Sequence, residues 1–362
     1  MVNEYGFAPD YVVAPGEILD EILRTKGMSK IDLADRCGLT PKTISLIIAG
    51  KAPVTPETAI QFEHVLGMAA SIWNNLESAY RLFRAKQGDR EELAKYDQWL
   101  QEFPLLEMRR RGWLVFGPSV AEKVSGLLDF FGVGSVVAWE ERYGQLPVRL
   151  RKAAKYTPSK AALAAWIRKC EIEARAVETE PFSKEKLNKA LSEIRVLSCQ
   201  DTQVFEPRMK GLMASAGVAL VFVGELHGTH LSGAVQWLSS DKAMVSLSLR
   251  YKTDDQLWFT FFHEAAHLKL HSKKLIFIDG TENGNADNQE QEADRFASDY
   301  LISPGAYARF IQKGIFTADS IRRFAGELAI APGIIVGRLQ HDKYLDFATP
   351  LNHLKCRFQL VE

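Results

Sequence analysis

At 362 residues and 40.6 kDa the chain is long enough for two or three domains and at least one sizeable core. Apolar residues make up 46%, charged residues 25%, and 45 Lys+Arg balance 45 Asp+Glu, which excludes disordered, collagen-like and strongly polycationic chains. Cys37, Cys170, Cys199 and Cys356 lack the short spacing of a disulfide scaffold or a cysteine zinc ribbon and read as reduced thiols. The opening MVNEYGFAPD has neither a basic nor an apolar leader segment, and no apolar run approaches the roughly 20 residues needed to span a bilayer. The expectation is a cytoplasmic protein without membrane contact.

Three textures follow one another, read as a helix-turn-helix domain over 1–82, a helical connector over 83–204 and a metal-site domain over 205–362. From about 15 to 82, glycines and prolines at Gly27, Gly38, Gly50, Pro53, Pro56 and Gly67 divide the chain into short helices, five in all, the grain of a small bundle. Ser29 caps Lys30–Arg36, Gly38 supplies a tight turn, and Thr40 with Pro41 opens a second helix that stops near Gly50. Two short helices joined by a glycine turn form a helix-turn-helix pattern. On the second, Ile44, Ile47 and Ile48 share one face, leaving Lys42, Thr43 and Ser45 to point outward. Those are the positions that reach base edges and phosphates in a major groove.

Pro15-Gly16-Glu17-Ile18-Leu19, Leu33-Ala34, Gly38-Leu39-Thr40, Ile44-Ser45 and Gly50-Lys51, on to Trp73, resemble the Xre family of DNA-binding domains, nearest to its HigA-like antitoxin branch. The resemblance implies operator contact by Lys42, Thr43, Ser45 and Lys51. Residues 1–82 carry ten carboxylates against seven bases, however, so one such module should hold double-stranded DNA weakly. A homodimer on a palindromic operator meets that requirement better. A bundle used for protein contacts alone is the other reading.

In the middle, charge-laced helical patterns such as Leu93-Tyr96-Trp99-Leu100-Phe103 and Ala161–Ala176 carry no evident chemistry. After 205 the period changes. Val218–Val223, Gly233–Leu238 and Met244–Leu249 read as strands of a small antiparallel sheet, the last alternating and hence half-buried, so the fold class is α+β, mainly α.

Phe261–His271 then contains His263-Glu264-Ala265-Ala266-His267 in a helical segment, with Asp254 or Asp255 as its N-cap. One turn separates the two histidines by about 6 Å of rise, so both can ligate one Zn²⁺, with Glu264 beside them to take a proton from the attacking water. His271 lies about 12 Å along the helix from His263, too far to share the ion. The third ligand is sought on the next helix, where Glu290 and Asp294 share a face: Glu290 as ligand, Asp294 holding a ligating imidazole from behind. Glu292 points about 200° away from Glu290 and is the weaker candidate. His227 and His230 fit a cleft wall or a polar loop equally well, and Ile321–Leu339 reads as a packing helix pair before a second reader.

Phe259–His271, Glu290-x-x-Ala293-Asp294-x-Phe296-Ala297 and Leu301-Ile302-Ser303-Pro304 resemble the ImmA/IrrE zinc metallopeptidases, with Ala265-Ala266 where a Leu-Gly pair is common. The resemblance implies a gluzincin-like site of His263, His267 and Glu290 with Glu264 as general base. Two functions remain open. One is a DNA-binding regulatory zinc metalloendopeptidase that cuts a repressor or partner protein. The other is a HigA-like regulator or antitoxin whose C-terminal domain senses metal or a partner without hydrolysis.

Overall fold

The computed structural model describes residues 12–144, 159–229, 231–248, 250, 252–271, 277–278 and 284–358. It divides into two compact units: one reaches to Tyr96 and includes Ser119–Glu122, the other takes Asp97–Pro118 and the chain from Lys123 onward. The stretch 83–204 expected as a separate connector is therefore shared out, most of it belonging to the second unit.

The first unit contains α1 (Pro15–Lys26), α2 (Lys30–Cys37), α3 (Pro41–Ile48), α4 (Pro56–Leu66) and α5 (Ala70–Leu93). Each start is written locally: Ser29, Thr40 and Thr55 accept the N–H of Asp32, Thr43 and Thr58, and proline occupies the first turn of α1, α3 and α4. Gly38 closes α2 at φ 65°, a conformation that costs glycine little. Leu19, Leu33, Ile44, Phe62 and Trp73 are fully buried, and Phe62 meets Trp73 edge-to-face at 5.3 Å. Each such side chain contributes about 1.5–3 kcal/mol of burial. Ile31, an apolar position of α2, is instead 62% exposed.

The second unit starts with α6 (Asp97–Leu100), α7 (Leu105–Arg110), all but the first residues of α8 (Val120–Phe131) and α9 (Val136–Tyr143). Trp99, Phe103, Phe131 and Trp139 interlock there, largely edge-to-face. Then come α10 (Lys160–Ala176), α11 (Lys184–Val196), α12 (Thr202–Ser215), strands β1 (Val218–Phe222), β2 (Gly233–Trp237) and β3 (Ala243–Leu247), α13 (Asp254–Leu270), β4 (Phe277–Ile278), α14 (Gly284–Leu301), α15 (Pro304–Lys313), α16 (Ala318–Leu328) and α17 (Pro332–His341).

The sheet runs β1-β3-β2-β4 and is mixed. A tight connection, with Leu238 N–H donating to Lys242 O at 2.9 Å, makes β2 and β3 antiparallel with Val235 opposite Val245. β1 lies on the far side of β3 and pairs with it in parallel, Leu220 opposite Val245. The expected all-antiparallel sheet fails at this pair, because hydropathy alternation carries no information about strand direction. β3 is also buried throughout, Ser246 included, where one wet face was expected. Both faces are covered. α10 sends Trp166, whose Nε1 donates to Val223 O at 2.8 Å, and Glu171, which accepts from Gln236 at 2.9 Å, to one side. On the other, Leu220, Val235 and Val245 share a core with Met209 and Met213 of α12, Trp258 and Phe261 of α13, and Ile321 and Leu339 of α16 and α17. The last two helices therefore serve packing.

Candidate metal centre

α13 is apolar almost all round, as a helix sunk in a core must be. Thr253 occupies its N-cap, and Asp254 and Asp255, expected as caps, stand inside its first turn and are buried. His263, Glu264 and His267 lie two-thirds of the way along, 5%, 0% and 2% exposed. β2 passes so close that a Cβ on Gly233 would stand 2.5 Å from Glu264 Oε1, so only glycine fits there.

α14 packs alongside and brings its carboxylates to the histidines. Glu290 Oε2 lies 3.1 Å from His263 Nε2 and Glu290 Oε1 lies 3.6 Å from His267 Nε2, while the two Nε2 atoms are 3.1 Å apart. One donor atom from each of the three residues falls within a 4.8 Å span. Behind them, His263 Nδ1 meets Asp294 Oδ1 at 2.9 Å. His267 Nδ1 meets His271 Nδ1 at 2.9 Å, and His271 Nε2 meets Glu292 Oε2 at 3.2 Å. The geometry brings together His263, His267, Glu290 and Asp294, sets the Glu264 carboxylate against Gly233 of β2, and turns Glu292 to a different histidine.

This donor set fits a divalent metal. Two imidazole nitrogens and a carboxylate oxygen converge, the combination used by zinc sites that keep a fourth position open. Burial, then the neighbouring His263 and His271, pushes the His267 pKa down to about 2, so its ring is neutral and offers a lone pair. The tautomer that leaves both Nε2 lone pairs on the shared position has His263 Nδ1–H donating to Asp294 and His267 Nδ1–H donating to His271. His271 is then the Nε2–H tautomer and donates to Glu292.

Sequence reasoning weighed His271 only as a ligand and missed it as the partner of His267, although their four-residue spacing signals it. It missed Arg195 of α11 altogether. That guanidinium donates to Tyr300 O at 2.9 Å, Leu301 O at 2.8 Å and Leu328 O at 3.0 Å, tying the C-terminal ends of α14 and α16. Arg111, at the C-cap of α7, acts similarly on the loop after β1, donating to Gly224 O and Glu225 O, each at 2.9 Å. His227 lies in that loop, its backbone N–H donating to Glu107 at 3.1 Å, whereas His230 is outside the described residues.

In the first unit, α3 exposes Lys42 and Ser45, half-buries Thr43, and is followed by exposed Lys51. Thr43 is engaged with the cap, its hydroxyl 2.9 Å from that of Thr40, and Ser45 Oγ donates to Pro41 O at 2.9 Å.

Residues 19–73 match the helix-turn-helix family, and residues 230–329 match the M78 peptidase family, described as an IrrE N-terminal-like domain. The N-terminal segment is 36% identical over 73 residues to YddM of Escherichia coli, an uncharacterized HTH-type transcriptional regulator, covering 20% of this chain and 78% of that one. The chain belongs to the HTH-type transcriptional regulators. It is also 34% identical over 76 residues to virulence-associated protein I of Dichelobacter nodosus, covering 21% of this chain and 70% of that protein. An addiction module antidote protein of the HigA family from Coxiella burnetii matches at 27% identity and a TM-score of 0.21, over 23% of this chain and 91% of its own. This regulator thus joins a helix-turn-helix domain to an M78-type peptidase domain, and no helix among its described residues is long and apolar enough to cross a membrane.

Proposed function

We propose that this regulator is a zinc metalloendopeptidase that hydrolyses a peptide bond in a repressor or other partner protein, while its helix-turn-helix unit engages an operator. The observation that carries the reading is the convergence of His263, His267 and Glu290 within 4.8 Å, with Glu264 next to the first histidine in the chain. Zinc held there supplies Lewis acidity to the scissile carbonyl. Glu264 takes the proton of the attacking water and passes it to the departing amine. Asp294 fixes the ring of His263 through Nδ1, and His271 does the same for His267. On the operator, Lys42 and Lys51 neutralise phosphates, with Thr43 and Ser45 beside them.

The test is Glu264→Gln in the full chain. Zinc content by plasma mass spectrometry should stay near one per chain, and cleavage of a partner trapped by this variant should fall about 10²–10⁴-fold. Full cleavage by the variant, or a wild-type protein without zinc whose metal content His263→Ala leaves unchanged, overturns the reading. Changing Lys42 and Ser45 together to Ala should weaken gel shifts on the operator at constant zinc content; unaltered shifts would return the bundle to protein contacts alone.

The second reading, a HigA-like regulator or antitoxin that senses metal or a partner without hydrolysis, draws on the burial of Glu264. Its carboxylate is 0% exposed and pressed by β2. Under it, Glu264→Gln leaves regulation and metal binding alike.

A further inference from the structure

α15 and α16 enclose an open groove of about 510 Å³, within the size range of ligand sites. Helix periodicity decides what faces it. On α15, Ala306 and Phe310 share one row and Arg309 and Lys313 the next; on α16, Phe324 and Leu328 share a row beside Arg323 and Glu327. Phe310 and Phe324 are buried and stack at 4.2 Å with their planes 6° apart, which gives the groove an apolar floor. Ile315, in the turn between the helices, lines the groove as well and is 59% exposed.

The rim is cationic. Arg309, Lys313 and Arg323 are exposed, and none of them forms a hydrogen bond or ion pair with a described residue. Elsewhere on the surface Arg24, Arg36, Arg81 and Lys210 each meet a carboxylate one turn back. Arg323 has Glu327 one turn on and does not pair with it, while the other carboxylate of the lining, Asp319, lies 3.6 Å from Arg322. Residues 304–328 therefore hold four bases, Arg309, Lys313, Arg322 and Arg323, against Asp319 and Glu327, a local surplus of two in a chain that has none overall.

Floor and rim together select the occupant. The cations call for carboxylates or phosphates, and the floor calls for an apolar side chain. A nucleic-acid backbone presents a phosphate at every step, so it would also meet Glu327, and it offers nothing apolar to the floor. A peptide can set its carboxylates against the cations alone and lay one leucine- or phenylalanine-sized side chain between the helices.

We propose that the groove between α15 and α16 is a docking site for an acidic segment of the partner protein. Its carboxylates meet Arg309, Lys313 and Arg323, and its apolar side chain packs on Phe310, Phe324 and Ile315. The proposal rests on the reading that the metal domain works on a protein partner, and it holds whether that partner is cut or only sensed. α15 begins at Pro304, directly after α14 ends at Leu301, so a docked segment is held next in the chain to the helix that carries Glu290 and Asp294.

The experiment follows the fluorescence anisotropy of a labelled peptide, Glu-Glu-Leu-Phe-Glu-Glu-Leu, with the zinc-supplemented full chain at low salt. The peptide should bind at one site with a Kd below about 0.1 mM, and more weakly as salt rises. Serine in place of its leucines and phenylalanine should weaken binding about 10-fold, and lysine in place of its glutamates should abolish it. On the protein, Arg309→Glu together with Lys313→Glu should weaken binding at least about 10-fold at unchanged zinc content, and Arg323→Glu serves if that variant does not fold. Ile315→Ser should weaken it about 5-fold. Absence of saturable binding by wild type, equal affinity for the serine peptide, or undiminished binding by a folded charge-reversed variant would overturn the proposal. So would a charge-reversed variant that loses operator binding and keeps the peptide, which would give this face to DNA. Cleavage lost in Glu264→Gln with peptide binding intact would bear on the hydrolytic step and leave the docking site standing.

Discussion

Asp254 is a residue whose ionisation works against the fold. It is 1% exposed, and burial, with Asp255 adding to it, raises its pKa to about 6 against about 3.9 for the free side chain. A carboxyl held above its unfolded value contributes stability fully present below pH about 4 and lost as pH rises through about 6. The difference of about two pKa units corresponds to roughly 3 kcal/mol between those limits. Asp254→Asn keeps an acceptor for the Asp255 N–H, now 2.9 Å from Oδ1, without the charge. Urea unfolding of the variant should lose this falling limb and lie above wild type at pH 8. A parallel pH profile for both proteins would contradict the assignment. At the other end of α13, His271 should matter through His267. With zinc held as proposed, His271→Ala and Asp294→Asn each remove a partner of a candidate ligand ring and should weaken zinc affinity about 10–100-fold in competition with a chelator, at unchanged DNA binding.

Arg195 decides how well α14 can present Glu290 and Asp294. It answers three carbonyls at two helix ends, and burial lowers its pKa. Arg195→Met should cost about 2–4 kcal/mol in chemical denaturation, since the carbonyls lose a charged donor in a half-buried place. It should also weaken zinc binding, because the end of α14 is released; an unchanged zinc affinity would mean that packing alone orients the helix. The contrast with the metal centre marks how far the sequence is legible. His263, His267, Glu290 and Asp294 obey a four-residue period, so helix geometry alone puts them on common faces. Ser29 and Thr40 act within three residues of themselves and are readable for the same reason. Arg195, Gly233 and the parallel pairing of β1 with β3 join positions distant in the chain, and nothing local records them. Ser246 illustrates the limit from the other side: alternation marks it as facing away from Val245, but α10 decides that this face is dry.

At the scale of the chain, two compact units whose cores are formed by different residues imply two cooperative units. Leu19, Leu33, Ile44, Phe62 and Trp73 belong to one core, and Val235, Val245, Trp258, Phe261 and Leu339 to the other. The candidate ligands His263, His267 and Glu290 all lie in the second. A ligand that binds a native unit stabilises that unit by RT ln(1 + [L]/Kd), about 4 kcal/mol at a thousandfold excess over Kd, and leaves an independent unit unmoved. Calorimetry of the full chain should therefore resolve two transitions, of which a chelator lowers one by several degrees. A fragment ending at residue 96 should reproduce the other, unaffected by chelator, and should keep DNA binding that falls steeply with salt. Its acidic balance makes that binding depend on few lysines, and Lys42→Ala should reduce the slope of log K against log salt by about one. A single transition, shifted as a whole by chelator, would mean instead that the reader and the metal domain fold as one body, and zinc occupancy would then be felt directly at the operator.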